Sequence, residues 1–190
     1  MNLKLPRPFS SFRSSAPECP VRSSASRIAG RTAALTLRPK RASDDEFILS
    51  LSERVFAIYS TFPDAAMNSM LRQHGARVAI AEVGRTRVGF IVVSFERLRR
   101  DFGPWSRPAI ARLDAIAVRP DAQGRGVGRV LLIHAEEIAR EHDAVSLTLR
   151  TAETNTRARR LFESSGFLTL LALEDNYKDH QRALAMMKLL

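Results

Sequence analysis

Hydrophobic and polar positions in this 190-residue chain follow two periods, one near two and one near 3.6. Residues 35–39, Leu35-Thr36-Leu37-Arg38-Pro39, alternate and predict a first strand. Ser43-Asp44-Asp45-Glu46 has the spacing of a capping box, with Ser43 as N-cap and Glu46 reaching back. It opens a helix with Phe47, Leu51, Val55 and Ile58 on one face, ending near Ser60. Phe62-Pro63-Asp64 starts a second helix that Gly75 stops. Residues 77–83 and 87–95 predict a hairpin around Gly84, and 96–108 a long loop. A strand over 109–118 ends in the apolar run Leu113-Asp114-Ala115-Ile116-Ala117-Val118. Val127, Leu131, Ala135 and Ile138 recur at helical spacing, 144–150 reads as a strand, and another helix opens at Asn155. Strands over 167–173 and 183–190 follow, separated by 174–181. The predicted order is β-α-α-β-β-β-α-β-α-β-β, with no repeat and no second domain.

Charge changes the picture at the N-terminus. The chain carries a formal +10, and residues 1–41 hold nine Lys/Arg against Glu18 alone, a net +8. Residues 42–190 hold 21 basic against 19 acidic side chains, a net +2. Residues 1–34 are rich in Ser, Arg, Pro and Ala without an apolar period, so a disordered basic arm is expected there and a domain over 35–190. The arm also fits a transit peptide or a start codon placed too early. A basic arm gives salt-dependent, unspecific attraction to polyanions, so no specific nucleic-acid partner is expected. No apolar run approaches the ~20 residues of a membrane span, so no membrane partner is expected. The single cysteine, Cys19, suits a reducing, cytoplasmic compartment and lies far from the patterned stretches.

Candidate chemistry concentrates in Val118-Arg119-Pro120-Asp121-Ala122-Gln123-Gly124-Arg125-Gly126-Val127-Gly128. A strand, a glycine turn and a helix start form an anion cradle, because the first N–H groups of a helix lack internal partners and its dipole is positive there. A Walker loop would need Lys and Ser/Thr, and the dinucleotide fingerprint would need glycine where Arg129 stands. Gln123, Gly126 and Gly128 give Q-x-x-G-x-G, which resembles the acyl-CoA pyrophosphate loop of the GNAT N-acetyltransferase superfamily. Further on, Asn155-Thr156-Arg157-Ala158-Arg159-Arg160-Leu161-Phe162, with Gly166-Phe167 closing the stretch, resembles the second signature of that superfamily, N-x-x-A-x-x-L-[YF]-x-x-x-G-F.

The resemblance covers residues from about 35 onward. It implies an α/β (α+β mixed) GNAT fold: a central, mixed, mostly antiparallel twisted sheet of about seven strands with helices on both faces. The fourth and fifth strands (109–118 and 144–150) would splay around the pantetheine arm. It implies acetyl transfer from acetyl-CoA to a primary amine of a small-molecule or protein acceptor, by direct attack in a ternary complex. The alternative is a catalytically weak acyl-CoA-binding regulatory module of the same fold. Cofactor binding falls to Gln123, Gly124, Arg125, Gly126, Val127, Gly128 and Arg129, to the backbone of Ile116, Ala117 and Val118, and to Asn155 and Phe162. Asn155 has a second reading as a helix cap. Alternation places residues 114, 116 and 118 on one face of their strand. Asp114 is the candidate base, with a structural carboxylate as the other reading, and Glu153 is a weaker alternative. Where relatives carry a tyrosine acid, this chain has Phe162, so Tyr177 is the substitute candidate. Glu174, Asp175 and Asp179 suggest a cationic acceptor. His134 reads as packed rather than catalytic, Arg157 as solvated or reaching the phosphates. No His/Cys/Asp/Glu cluster has metal spacing, and a homodimer is compatible with the family.

Overall fold

The computed structural model describes residues 34–190, without the side chains of Asp175 and Asn176. The expectations for residues 1–33, Cys19 among them, lie outside the described residues. Seven strands form one sheet: β1 (Leu35–Pro39), β2 (Arg77–Val83), β3 (Thr86–Arg97), β4 (Ala109–Val118), β5 (Ala144–Ala152), β6 (Leu168–Tyr177) and β7 (Gln181–Leu189). Their spatial order is β1-β2-β3-β4-β5-β7-β6. Only β4 and β5 pair in parallel; the other neighbours are antiparallel. The helices are α1 (Asp45–Phe56), α2 (Pro63–Arg72), α3 (Val127–Glu141) and α4 (Thr156–Ser164). Element for element this is the order the periodicity predicts.

The sheet is buried on both faces. Side chains alternate along a strand, so Phe90 and Val92 of β3 pack with Ile48, Leu51 and Met67 of α1 and α2. Ile91 and Val93 pack the other way, with Leu131, Ala135 and Ile138 of α3 and with Phe162 of α4. Two-sided burial explains why β3 and β4 read as nearly continuous apolar runs. Each fully buried aliphatic side chain, such as Leu131, contributes about 1.5–3 kcal/mol.

Several local expectations are corrected. The first helix carries its buried row on Ile48 and Leu51, with Val55 partly buried, and stops at Phe56, leaving Ile58 63% exposed. Its start is not capped by Ser43. Asp44 accepts the backbone N–H of Arg41 at 2.7 Å across a 3-10 turn, Ala42–Asp44, that precedes α1. The Asp44 carboxylate also takes two bonds from Arg38, at 2.7 and 2.9 Å, and one from Arg87 at 3.3 Å. Arg38 reaches Glu82 as well, at 2.7 Å, so β1, β2, β3 and the root of α1 meet at one buried carboxylate. These donors hold Asp44 well below the usual carboxylate range, the Arg38 bonds first among them. At the other end of the chain, β6 continues to Tyr177, so the expected 174–181 connection shrinks to the turn Lys178–His180.

The correction that matters most for the site lies in β4. Val92 pairs with Ala115 and Val93 with Leu113, which leaves Asp114 as the extra residue of a β-bulge. A one-residue insertion exchanges the faces. Leu113 therefore joins Ile116 and Val118 over the α3 core, while Ala115 and Ala117 turn to α1 and α2. Simple alternation over 113–118 does not hold.

Candidate active site

Parallel pairing of β4 with β5 ends where Leu113 faces Leu149. Beyond that point β4 is held by β3 alone, to Val118 opposite Gly89. β5 is held by β7 alone, to Ala152 opposite Ala183. The two strands part, and the edge of residues 114–118 that looks toward β5 carries no strand. On the opposite edge Gly89 lets β3 and α3 close on β4: a Cβ there would lie 2.7 Å from the Ala117 carbonyl oxygen and 3.1 Å from Leu131 Cδ1.

The glycine turn follows directly. Gln123 Nε2 donates to the Val118 carbonyl at 2.9 Å and ties the turn to the strand end. Gly126 precedes α3 with φ +82°, a left-handed conformation that costs a residue with a side chain about 1–2 kcal/mol. The N–H groups of Arg129 and Val130 return to the Gly126 carbonyl at 3.0 and 3.1 Å. Those of Val127 and Gly128 open the helix and have no partner within it. Arg125 and Arg129 are exposed, and the Arg157 guanidinium stands 3.8 Å from the position of a Cβ on Gly124. Leu161 likewise sits 3.3 Å from a Cβ on Gly128, so α4 lies against the start of α3. Asn155 opens α4, its Oδ1 accepting the Ala158 N–H at 3.1 Å, so the capping reading is realised.

A cavity of about 270 Å³ fills the fork between the parted strands. Asn155, Ala158 and Phe162 line it on the α4 side, and Phe56, Tyr59 and Met67 on the α1–α2 side. Asp114, Ile116 and Arg150 come from the strands, and Tyr177 closes it from the end of β6. A neighbouring hollow of about 490 Å³ shares Asp114, Arg150 and Tyr177 and adds Ser69, Gln73 and Arg112. Sequence positions from 56 to 177 thus converge on one place.

Asp114 is the polar centre. Its side chain is only 4% exposed, and Oδ1 accepts from Arg112 Nε. Oδ2 is buried with no hydrogen-bond partner among the described residues. A buried carboxylate oxygen left unpaired is costly, and such atoms in native folds point to an unfilled role. Tyr59 and Tyr177 meet edge to face at 6.0 Å. Burial raises the pKa of both phenols, so each stays protonated at neutral pH. The β6–β7 turn is fastened over the α1–α2 connection by Lys178 N–H to the Tyr59 carbonyl, 2.9 Å, and Gln181 Nε2 to the Ile58 carbonyl, 3.1 Å.

Other candidates fall outside this centre. Glu153 lies at the surface, 3.5 Å from Arg182. Glu174 pairs with Arg182 Nε at 2.9 Å, and Asp179 sits exposed in the turn, so neither lines the cavity. His134 binds Glu137 at 2.9 Å on the outer side of α3. The bulge, the partnering of Arg112 and the place of Arg150 carried no signal in the linear pattern. Among the described residues no group of three or more His, Cys, Asp or Glu could hold a metal, and no helix is long and apolar enough to cross a membrane.

Comparison with known proteins gives a consistent result. The model of the acetyltransferase (GNAT) family matches residues 45–167. An uncharacterised N-acetyltransferase of Bacillus subtilis (strain 168) is 29% identical over 138 residues, 70% of this chain and 89% of that protein. A mycothiol acetyltransferase of Acidimicrobium ferrooxidans is 27% identical over 139 residues, 70% of this chain but 42% of its own length, so this chain spans under half of it. The crystal structure of Ard1 from Thermoplasma volcanium superposes with a TM-score of 0.69 at 25% identity, covering 83% of this chain and 98% of that one. Arabidopsis thaliana NAA60 in complex with acetyl-CoA has the same fold, with a TM-score of 0.71 at 14% identity over 83% of this chain and 99% of that one.

Proposed function

This chain belongs to the GNAT acetyltransferase family, and on that premise we propose that it transfers the acetyl group of acetyl-CoA to a primary amine by direct attack in a ternary complex, with Asp114 as the base. Acetyl-CoA supplies the thioester whose acetyl group moves. The turn from Gln123 to Arg129 fits its diphosphate: two unpaired N–H groups open α3, Gly126 keeps side-chain bulk away, and Arg125, Arg129 and Arg157 add positive charge. The strand-free edge of Ile116, Ala117 and Val118 suits backbone pairing with an extended arm. Asn155 and Phe162 border the same fork.

The observation that carries the reading is the unpaired Oδ2 of Asp114 in the wall of the cavity. An amine must shed a proton to attack, and a fixed carboxylate within reach takes it. The Arg112 bond to Oδ1 holds the carboxylate in place. Phe162 has no proton to give and shuts water out of the inner end. Tyr177, kept protonated by burial, is the proton donor on hand. A thiol has an ordinary pKa near 8.5, so departure of the thiolate needs little help. The 35–190 segment is the transferase domain in this reading and 1–34 an appended arm, and the single cysteine supports a cytoplasmic location. The near-balanced charge of residues 42–190 favours a small-molecule or protein amine over nucleic acid.

Phe162 favours a second reading, a module that binds acyl-CoA without turning it over. Purified full-length chain, given acetyl-CoA and a panel of amines, separates the two. Steady CoA release with at least one amine is expected. Tight acetyl-CoA binding without release for any amine establishes the binding module, and no binding at all refutes both.

A further inference from the structure

Arg150 has no function in the scheme above. On β5, it lines the same two hollows as Asp114 and Tyr177, and also a third, with Glu96 and Arg112. The guanidinium is exposed and makes no hydrogen bond or ion pair among the described residues, although most arginines facing this sheet are engaged. Its charge is felt at the site, where it opposes the upward shift that burial imposes on Tyr177.

The charges lining the cavity add up in a specific way. Asp114 and Arg150 line the cavity with −1 and +1, and Arg112, which lines the neighbouring hollow, adds +1 through its bond to Oδ1. Of the acids expected to attract a cation, Glu174 is held by Arg182 outside the cavity and Asp179 sits exposed in the turn, while the side chain of Asp175 lies outside the described residues. A purely cationic acceptor would therefore enter a field of its own sign. An acceptor with one carboxylate beside its amine would leave nothing unpaired: the amine at Oδ2 of Asp114, the carboxylate on the fork of Arg150.

Resting on the transferase reading, we propose that the acceptor is a small amine bearing a carboxylate close to the amino group, of the free amino acid class, and that Arg150 selects it. The wall supplied by Phe56, Met67, Met70, Ile116 and Leu149 is apolar and suits an uncharged side chain.

The test uses the full-length protein and matched trios: each uncharged L-amino acid, its amide, and the amine left on removing the carboxylate (L-leucine, L-leucinamide and 3-methylbutylamine, for example). In the wild type, kcat/KM for the best amino acid exceeds that for its amide by roughly 10- to 100-fold, the span of one charge-assisted hydrogen bond. In Arg150→Gln the preference collapses toward unity, chiefly through KM for the acid, and Arg150→Lys restores part of it. Thermal melting checks folding, which a side chain without intramolecular bonds does not govern. Equal use of acid and amide by the wild type overturns the inference alone, as does a preference unchanged in Arg150→Gln. Absence of CoA release with every amine overturns the transferase reading and this inference with it.

Discussion

Asp114→Asn exchanges the unpaired oxygen for an amide and leaves the shape of the side chain intact. It separates stability from activity. Oδ1 keeps its acceptor role toward Arg112, whose own side chain is 48% exposed and stays solvated. Oδ2 is buried without a partner among the described residues, so the native carboxylate carries a desolvation cost that the Arg112 bond at Oδ1 offsets only in part. Removing that charge relieves this cost but weakens the bond from Arg112 and leaves the new amide N–H groups unpaired, so the melting temperature moves by no more than about 2–4 °C, the equivalent of about 1 kcal/mol for a domain of this size. Catalysis suffers instead. An ammonium about 4 Å from the carboxylate, at an effective dielectric near 20, is attracted by about 4 kcal/mol. Proton acceptance by a positioned base is worth about 10²–10⁴-fold. Since the two effects overlap at one atom, kcat/KM falls by about 10²–10³-fold. Calorimetric melting and initial-rate CoA release on the same preparations give both numbers. A variant that loses more than about 2 kcal/mol of stability while keeping kcat/KM within threefold would show that Asp114 anchors the bulge and has no part in the chemistry.

Two further outcomes follow from the geometry. Asp44 is 1% exposed and its folded pKa is depressed, so its contribution is complete above the unfolded value near 3.9 and is lost as pH falls below it. Wild-type melting temperature should therefore drop steeply below about pH 4, whereas Asp44→Asn should start about 3–5 kcal/mol less stable at pH 7 and respond less to acid; parallel curves from pH 3 to 7 would count against the network. Gly89→Ala places a Cβ 2.7 Å from a backbone oxygen of β4, which must shift. A loss of about 1–3 kcal/mol is expected, together with weaker acetyl-CoA binding in titration calorimetry, and unchanged binding would free the Ala117 edge from its assigned part.

Long periodic segments were readable from the chain itself. Val127, Leu131, Ala135 and Ile138 mark α3 because one helix face must enter the core, and all four are buried. The paired strands β2 and β3 and the glycine turn were equally plain, since Gly126 occupies a backbone conformation few residues accept. The bulge at Asp114 was not readable. Both faces of β4 are buried and most of its residues are alanine or aliphatic, so a one-residue slip leaves no polar marker. Ser43 and Asp44 offer similar local caps, and the choice between them rests chiefly on Arg38 of β1, with Arg87 of β3 adding a longer bond. Glu174 interrupts an apolar run and suggested a loop, yet edge strand β6 tolerates polar side chains. Arg150 stands at the end of the 144–150 strand with nothing in its local pattern to mark it, and only the fold brings it into one cavity wall with Asp114 and Tyr177, 36 positions before and 27 after it in the numbering.

The position of β7 sets an order of assembly. The five strands β1 to β5 neighbour one another in the sequence in which a ribosome would deliver them, but β6 pairs only with β7, which is made after it. On the proposed reading, the strands and helix that carry the coenzyme turn are made before β7, the strand that ties β6 to the sheet. A protease nick within β7 would cut a strand whose Leu184 and Met186 are buried in the same core as α3 and Phe162, and would loosen β6 and that core together.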